Sequence, residues 1–281
     1  MKRILTIQDI SCLGKCSVTI SLPVLSAMGV ETVILPTALF STHTLFEEPV
    51  RRNLTELMLP VAAHWKKEGV RFDAIYTGYL GTEEEIDLAA AVIDEFREED
   101  TLVLVDPVMG DNGRLYRGFG PSYAGKNTKL CAMADLILPN ITEACLMTGI
   151  PYRERYDRAY IEALLTALSG FGGKKAALTG VSLEEGKTGV MGYDPEERFF
   201  FLYQIDRVPA AYHGTGDLFA SVAAGALIRG ESWKTALSLA ADYTALTIRE
   251  TQKSPKDLRF GVDFEKTLPE LWRLLGECRE E

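Results

Sequence analysis

Short runs of β-forming residues alternate with longer helical patterns along most of this chain, and that alternation constrains its fold most. The runs lie at 3–7, 32–35, 73–77, 102–105, 136–138 and 176–179. Several are continuously apolar, as strands covered on both faces require. Helical patterns at 17–28, 54–67, 83–96, 142–148 and 158–168 occupy the intervals. Strand–helix–strand repetition of this kind predicts an α/β fold, a mostly parallel sheet between two helical layers. A closed barrel needs eight such units; about six strands are present, so an open sheet is expected.

Two stretches break the rhythm. Runs at 188–193 and 198–204 flank Asp194-Pro195-Glu196-Glu197, which reads as a hairpin added to the sheet. Three helical stretches, at 216–229, 233–250 and 264–277, then close the chain. No repeat or linker divides the sequence, so residues 1–281 are expected to form one domain. A core of that size needs no disulfide or structural metal.

Charge narrows the partners. Thirty basic against forty acidic residues leave a net charge of −10, which argues against duplex nucleic acid. Helix-start amides can still hold a small phosphorylated ligand. The five cysteines, Cys12, Cys16, Cys131, Cys145 and Cys278, show no CxxC pairing and read as reduced thiols. Gln8 and Asp9 interrupt the first apolar stretch too early for a signal peptide. The apolar run 219–228 falls far short of the ~20 residues that span a bilayer, so a soluble, cytoplasmic protein is expected.

In open parallel sheets ligands bind beyond the carboxyl ends of the strands. Polar or glycine-bearing segments follow nearly every predicted strand here. They are Gln8-Asp9, Phe40-Ser41-Thr42-His43-Thr44, Gly78-Tyr79, Asp106-Pro107-Val108-Met109-Gly110-Asp111, Pro139-Asn140-Ile141-Thr142-Glu143 and Thr179-Gly180. Six tips on one edge point to a site.

The segment Gly214-Thr215-Gly216-Asp217 opens a helix of small residues. Glycines there let main-chain amides approach a phosphate, and the helix dipole favours its charge. Asp217 can face the same pocket as a base, or simply be a first-turn acid. Asn140-Ile141-Thr142-Glu143 is either a capped helix start or part of a Mg²⁺–phosphate cluster, and Asp106 and Asp111 are loop acids or share that ion. The segment 120–127 nearly spells a Walker phosphate loop, but Asn127 stands where the metal-binding Ser or Thr belongs, and no buried strand precedes it.

Taken in order, Ile7-Gln8, Phe40-Ser41-x-His43-Thr44, Gly78-Tyr79, the Asp106–Asp111 segment, Pro139-Asn140-x-x-Glu143 and Gly214-Thr215-Gly216-Asp217 resemble the ribokinase-like superfamily. Within it they are similar to the pyridoxal/pyridoxine/pyridoxamine kinases of vitamin B6 salvage. The resemblance runs from Ile7 to about Ser221. It implies a three-layer α/β/α sandwich without a separate lid domain, and ATP-dependent phosphorylation of the 5′-hydroxymethyl of a pyridine ring. Mg²⁺, often a monovalent cation (K⁺ or Na⁺), and a homodimer are implied as well. Asp217 resembles the base, and Gly214, Thr215 and Gly216 the cradle of the transferring phosphate. Asp111, Asn140, Glu143, Thr179 and Gly180 match positions around the nucleotide. Asp106, Asp111 and Glu143 match the metal positions, and His43, Thr44 and Tyr79 the vitamer pocket.

The sequence departs from that pattern in two places. Asp9, with Ser11 two residues on, stands where the family often has Ser; a carboxylate there favours a cationic ring or an aminomethyl substituent. Ala211-Tyr212-His213 precede Gly214 in place of the fuller signature, which makes His213 a packing residue or a wall of the nucleotide site. Two other readings stay open: a hydroxymethylpyrimidine kinase of thiamine synthesis, and a non-catalytic vitamer- or nucleotide-binding protein. The glycine-bearing stretch 110–120 is a candidate lid.

Overall fold

The computed structural model describes residues 1–172, 175–210, 212–254 and 257–277; Cys278 and Ala211 lie outside them. The parallel part of the sheet is made by β1 (Arg3–Leu13), β2 (Glu31–Thr42), β4 (Ala74–Thr77), β5 (Leu102–Val105), β8 (Leu136–Ile137) and β9 (Lys175–Val181). The antiparallel hairpin of β10 (Lys187–Asp194) and β11 (Phe199–Asp206) extends it past β9. A short antiparallel strand, β3 (Arg51–Asn53), closes the other side. The order is β11-β10-β9-β8-β5-β4-β1-β2-β3.

Each face of the sheet buries its own core. Under one lie α2 (Thr55–Lys67), α3 (Glu83–Phe96), α4 (Ser122–Cys131), α5 (Ile141–Thr148) and α6 (Arg158–Ser169), whose Met58, Ile86, Tyr123 and Leu164 meet Leu5, Ile7 and Val103 of the strands. Under the other lie α1 (Val18–Ala27), α7 (Thr215–Ile228), α8 (Trp233–Gln252) and α9 (Leu268–Glu277) against Ile4, Tyr76 and Leu104. Residues one apart on a strand thus serve opposite cores, which is why the predicted strands read as unbroken apolar runs. This is the expected α/β/α sandwich.

Three features differ from the sequence expectation, while the Walker-like segment is, as expected, no phosphate loop. β1 runs to Leu13 and β2 to Thr42, so Asp9, Ser11 and Phe40 lie within strands, not after them. β3 is an unforeseen strand between Ile7 and Asp73; three polar residues carry no periodicity, and charge is what blunts an exposed sheet edge. The tip after β5 folds into a small hairpin, β6 (Gly110–Asp111) with β7 (Arg114–Leu115), turning through Asn112 and Gly113 at positive φ. The Walker-like segment leads into α4, and helix rather than phosphate loop takes up Ser122 to Asn127.

Among the described residues no helix is long and apolar enough to cross a membrane. Cys12, Cys16, Cys131 and Cys145 are free thiols.

Candidate active site

The carboxyl ends of β1, β2, β4, β5, β8 and β9 open on one cleft of about 690 Å³, also lined by the residues that lead into α1 and by the first turn of α7. Its walls contain Asp9, Ser11, His43, Thr44, Tyr79, Asp106, Asp111, Asn140, Glu143, Thr179, Gly180, Gly214, Thr215, Gly216 and Asp217. Every residue singled out for a site role in the sequence therefore reaches the same hollow.

Asp217 stands in the first turn of α7. Gly214 precedes it at φ 82, where a Cβ would come within 2.2 Å of the Lys15 carbonyl oxygen, so only glycine fits. The first helical hydrogen bond runs from the Leu218 N–H to the Gly214 carbonyl at 2.9 Å. The N–H groups of Thr215, Gly216 and Asp217 thus lie ahead of the helical ladder and mark an anion-binding end. Burial pushes the Asp217 carboxyl up to about 7; the Ser17 main-chain N–H facing it opposes the shift, and the charge of Asp9 adds to it.

Asp9 is buried at a point where the β1–β2 ladder slips by one residue, between Gln8 and Ile10. Such irregularities re-aim side chains beside functional sites. The Ser11 hydroxyl donates to Asp9 Oδ2 at 3.1 Å, and burial holds the Asp9 carboxyl above its usual range despite the hydroxyls of Ser17 and Ser11.

Asp106, at the end of β5, is 8% exposed. No donor among the described residues reaches its carboxylate; burial, then Glu143 and Asp217, push it well above the usual carboxyl range. Glu143 lies behind it with both oxygens engaged. Oε2 accepts from the Asn140 N–H at 2.8 Å and Oε1 from the Met109 N–H at 3.0 Å, while Asn140 Oδ1 accepts from the Glu143 N–H at 2.9 Å. This is the capping box of α5.

The three residues expected around a metal, Asp106, Asp111 and Glu143, are engaged differently. Asp111 is exposed and accepts from the Asn112 N–H at 2.8 Å and its side-chain amide at 3.1 Å. Glu143 serves the main chain. Among the described residues no group of three or more His, Cys, Asp or Glu is arranged to hold a metal ion. Asp106 alone keeps an unclaimed carboxylate toward the cleft.

His43 is spent on structure as well as on the wall. Its Nε2–H donates to the Arg259 carbonyl at 2.6 Å, and its ring lies over His213 with centroids 4.1 Å apart. Burial and the neighbouring His43 lower His213 to about 4, so it is an uncharged wall that also packs. Tyr79 meets Phe40 edge-on at 6.3 Å, forming an aromatic side of the cleft.

Sequence reasoning missed three contributors. Cys16 and Ser17 lead into α1, and Ser17 holds φ 46, ψ −129, a costly conformation for a residue with a side chain. The junction after the first strand was a signal for them, since the site rule applies to every strand-to-helix turn. Arg207, just past β11, is the one Arg or Lys among the described residues lining the cleft, and nothing local in the sequence marks it. Tyr116, beyond the β6–β7 hairpin, is the third. That hairpin is tied to α5 by the Gly113 N–H donating to Thr142 Oγ1 at 2.9 Å.

The family model for phosphomethylpyrimidine kinase matches residues 21–260. A Bacteroides thetaiotaomicron protein described as a phosphomethylpyrimidine kinase, in a crystal form with pyridoxal, is 38% identical with a TM-score of 0.92, covering 96% of this chain and 95% of that one. The Lactobacillus plantarum pyridoxal kinase is 33% identical at a TM-score of 0.90, covering 99% of each chain. The Arabidopsis thaliana pyridoxal kinase is 28% identical over 163 residues, 54% of this chain and 49% of that one. The chain thus spans about half the length of that curated relative, and 58% of one from Schizosaccharomyces pombe. By the extent of the family match, this chain belongs to the phosphomethylpyrimidine kinase family.

Proposed function

We propose that this chain is an ATP-dependent kinase of vitamin B6 salvage, phosphorylating the 5′-hydroxymethyl of pyridoxal, pyridoxine or pyridoxamine. One observation carries the reading: Asp217 and the amide-bearing start of α7 share a single cleft with the polar ends of six strands. Phosphoryl transfer asks little covalent chemistry of a protein, and positioning with charge stabilisation supplies most of its catalysis.

In this reading the substrate hydroxyl sits against Asp217, which accepts its proton on a carboxylate oxygen. A carboxyl held near 7 is matched to that task at neutral pH. The N–H groups of Thr215, Gly216 and Asp217 receive the oxygens of the transferring group. Asn140, Thr179, Gly180 and Arg207 flank the nucleotide, while Ser11, His43, Thr44 and Tyr79 enclose the ring.

Asp106 fits a Mg²⁺ ion carried in with the triphosphate. It is a buried carboxylate without a protein donor, and Mg²⁺ takes one or two carboxylates while keeping its waters. Glu143 supports that position by fixing the backbone of Met109 and Asn140. Bound there, the ion would neutralise charge on the phosphates. The monovalent cation and the homodimer belong to the same reading and rest on the family resemblance, and a cytoplasmic location rests on the unpaired cysteines.

A coupled assay of ATP consumption with pyridoxal, pyridoxine, pyridoxamine and hydroxymethylpyrimidine tests the proposal. Turnover with at least one B6 vitamer is expected. Turnover confined to hydroxymethylpyrimidine would move the protein to thiamine synthesis, and binding without turnover would make it a sensor or carrier.

A further inference from the structure

Asp9 and Asp217 converge on one residue. The Ser17 main-chain N–H faces the Asp217 carboxylate, and the Ser17 hydroxyl faces that of Asp9. The two acids are close enough for the charge of Asp9 to act on Asp217. Asp9 is 4% exposed and lines the cleft. Everything that reaches it is neutral, the hydroxyls of Ser11 and Ser17 and its own main-chain N–H, and no Lys or Arg among the described residues pairs with it. A buried carboxylate without a cation is costly, and a positive or hydrogen-donating group on a ligand would offset the cost.

The position of that group follows from chemistry. In the kinase reading Asp217 takes the proton of the reacting hydroxymethyl, and a second acid that shares Ser17 with it lies near the ring positions beside that group. A ring nitrogen is one carbon further round the ring and lies farther away than a substituent on the adjacent carbon. We infer, resting on the kinase reading above, that Asp9 selects heteroaromatic alcohols bearing an amino group on the substituent or carbon next to the reacting hydroxymethyl. Pyridoxamine carries it as an ammonium. The 4-amino-5-hydroxymethyl pyrimidine carries it directly on the ring as a neutral N–H donor. Pyridoxine offers one neutral hydroxyl there, and the aldehyde of pyridoxal has no proton to donate and turns an oxygen toward the carboxylate. Charge-assisted hydrogen bonds are about twice as strong as neutral ones, so pyridoxamine gains most.

The test compares kcat/KM for all four alcohols, at saturating ATP, in the wild-type protein and Asp9→Asn. The Asn keeps the shape and can still accept from Ser11. Wild type is expected to favour pyridoxamine over pyridoxal by ~tenfold or more, the factor that ~1.4 kcal/mol confers. Asp9→Asn is expected to lower kcat/KM for pyridoxamine at least ~tenfold more than for pyridoxal. A selective loss confined to pyridoxamine means that charge is read, and one shared with the aminopyrimidine means that the N–H is read; both support the inference. An equal loss on all four, or unchanged ratios, overturns it. Should Asp9→Asn unfold, Asp9→Ser and direct titration of pyridoxamine into both proteins give the same comparison without turnover. Absence of turnover with every alcohol in the wild type would instead defeat the kinase reading, which separates the two failures.

Discussion

Asn140 and Glu143 cap each other, Asn140 Oδ1 accepting the Glu143 N–H at 2.9 Å and Glu143 Oε2 accepting the Asn140 N–H at 2.8 Å. Glu143 Oε1 then reaches across to the Met109 N–H at 3.0 Å. One acid thereby fixes two strand tips, those after β5 and β8, on the floor of the cleft. Asn140→Ala removes the side-chain acceptor of the cap, a change that costs ~1 kcal/mol. In a chain of this length the expected fall in Tm is ~2–4 °C, measured by thermal unfolding. Glu143→Ala should fall further, because two main-chain donors lose their acceptor at once. A Glu143→Ala protein as stable as wild type would show that the box contributes nothing.

In the proposed kinase, Asp217 carries the pH dependence. With its carboxyl near 7, the unprotonated form needed to accept a proton is lost as pH falls through that value. The expected kcat/KM for the B6 vitamer therefore declines about tenfold per unit well below pH 7. Asp217→Asn should abolish that limb and lower kcat by ~10²–10⁴, the usual worth of a positioned general base, with ATP still bound. Stability runs the other way. A carboxyl whose folded pKa exceeds its unfolded one contributes stability fully present below about 4 and lost as pH rises through about 7. At pH 8, Asp217→Asn is expected to raise Tm by a few degrees, and at pH 5 the gain should shrink. A variant with full turnover removes Asp217 from the mechanism.

Much of this was legible because the physics was local. The six parallel strands are apolar runs flanked by turn residues, and the Gly214–Asp217 cradle is a contiguous motif whose glycine is required by its own φ of 82. The roles of Glu143 and Asp106 were not separable in the sequence. Both are acids next to turns, and only packing shows that Glu143 spends its oxygens on the backbone while Asp106 has none of them claimed. Asp9 was visible, but not its partnership with Ser17, which depends on the slip in the β1–β2 ladder and the entry to α1. Arg207 was out of reach, because a single basic residue after a hairpin has no signature and its place follows from the whole sheet order.

Arg207 faces a cleft lined by six carboxylates, Asp9, Asp106, Asp111, Glu143, Asp206 and Asp217. A nucleotide triphosphate entering such a field needs every cation available, and Arg207 is the one that the lining supplies. Its exposure places it at the rim, where a charge contributes to binding and less to the transfer step. Arg207→Ala should raise the KM for ATP by ~2–5-fold with kcat within about twofold, since an exposed ion pair is worth about 1 kcal/mol or less. The increase should shrink in 0.5 M salt, where screening removes the same contribution from the wild type. Steady-state kinetics at two ionic strengths would detect a kcat effect in place of a KM effect, and that result would place Arg207 at the reacting phosphate.

Gly214 and Gly216 separate what the fold needs from what the ligand needs. At Gly214 the backbone holds φ 82, and a Cβ would meet the Lys15 carbonyl oxygen at 2.2 Å and the Ile20 side chain at 2.6 Å. The first of these is main chain and cannot swing aside. Left-handed backbone costs a non-glycine residue ~1–2 kcal/mol, and overpacking adds ~1–3. Gly214→Ala should therefore lower Tm by roughly 10 °C and displace the start of α7 from Lys15. Gly216 has no positive φ, and a Cβ there would find nothing within 4 Å. Gly216→Ala should keep its Tm within about 2 °C of wild type, since alanine favours a helix over glycine. Its methyl group would nevertheless stand among the N–H groups that receive the phosphate in the proposed kinase, so kcat/KM for ATP is expected to fall ~tenfold or more, as a displacement near 1 Å does. Calorimetry and kinetics on the two variants check the contrast; a Gly216→Ala protein that is stable and fully active would mean that the transferring phosphate does not approach the first turn of α7.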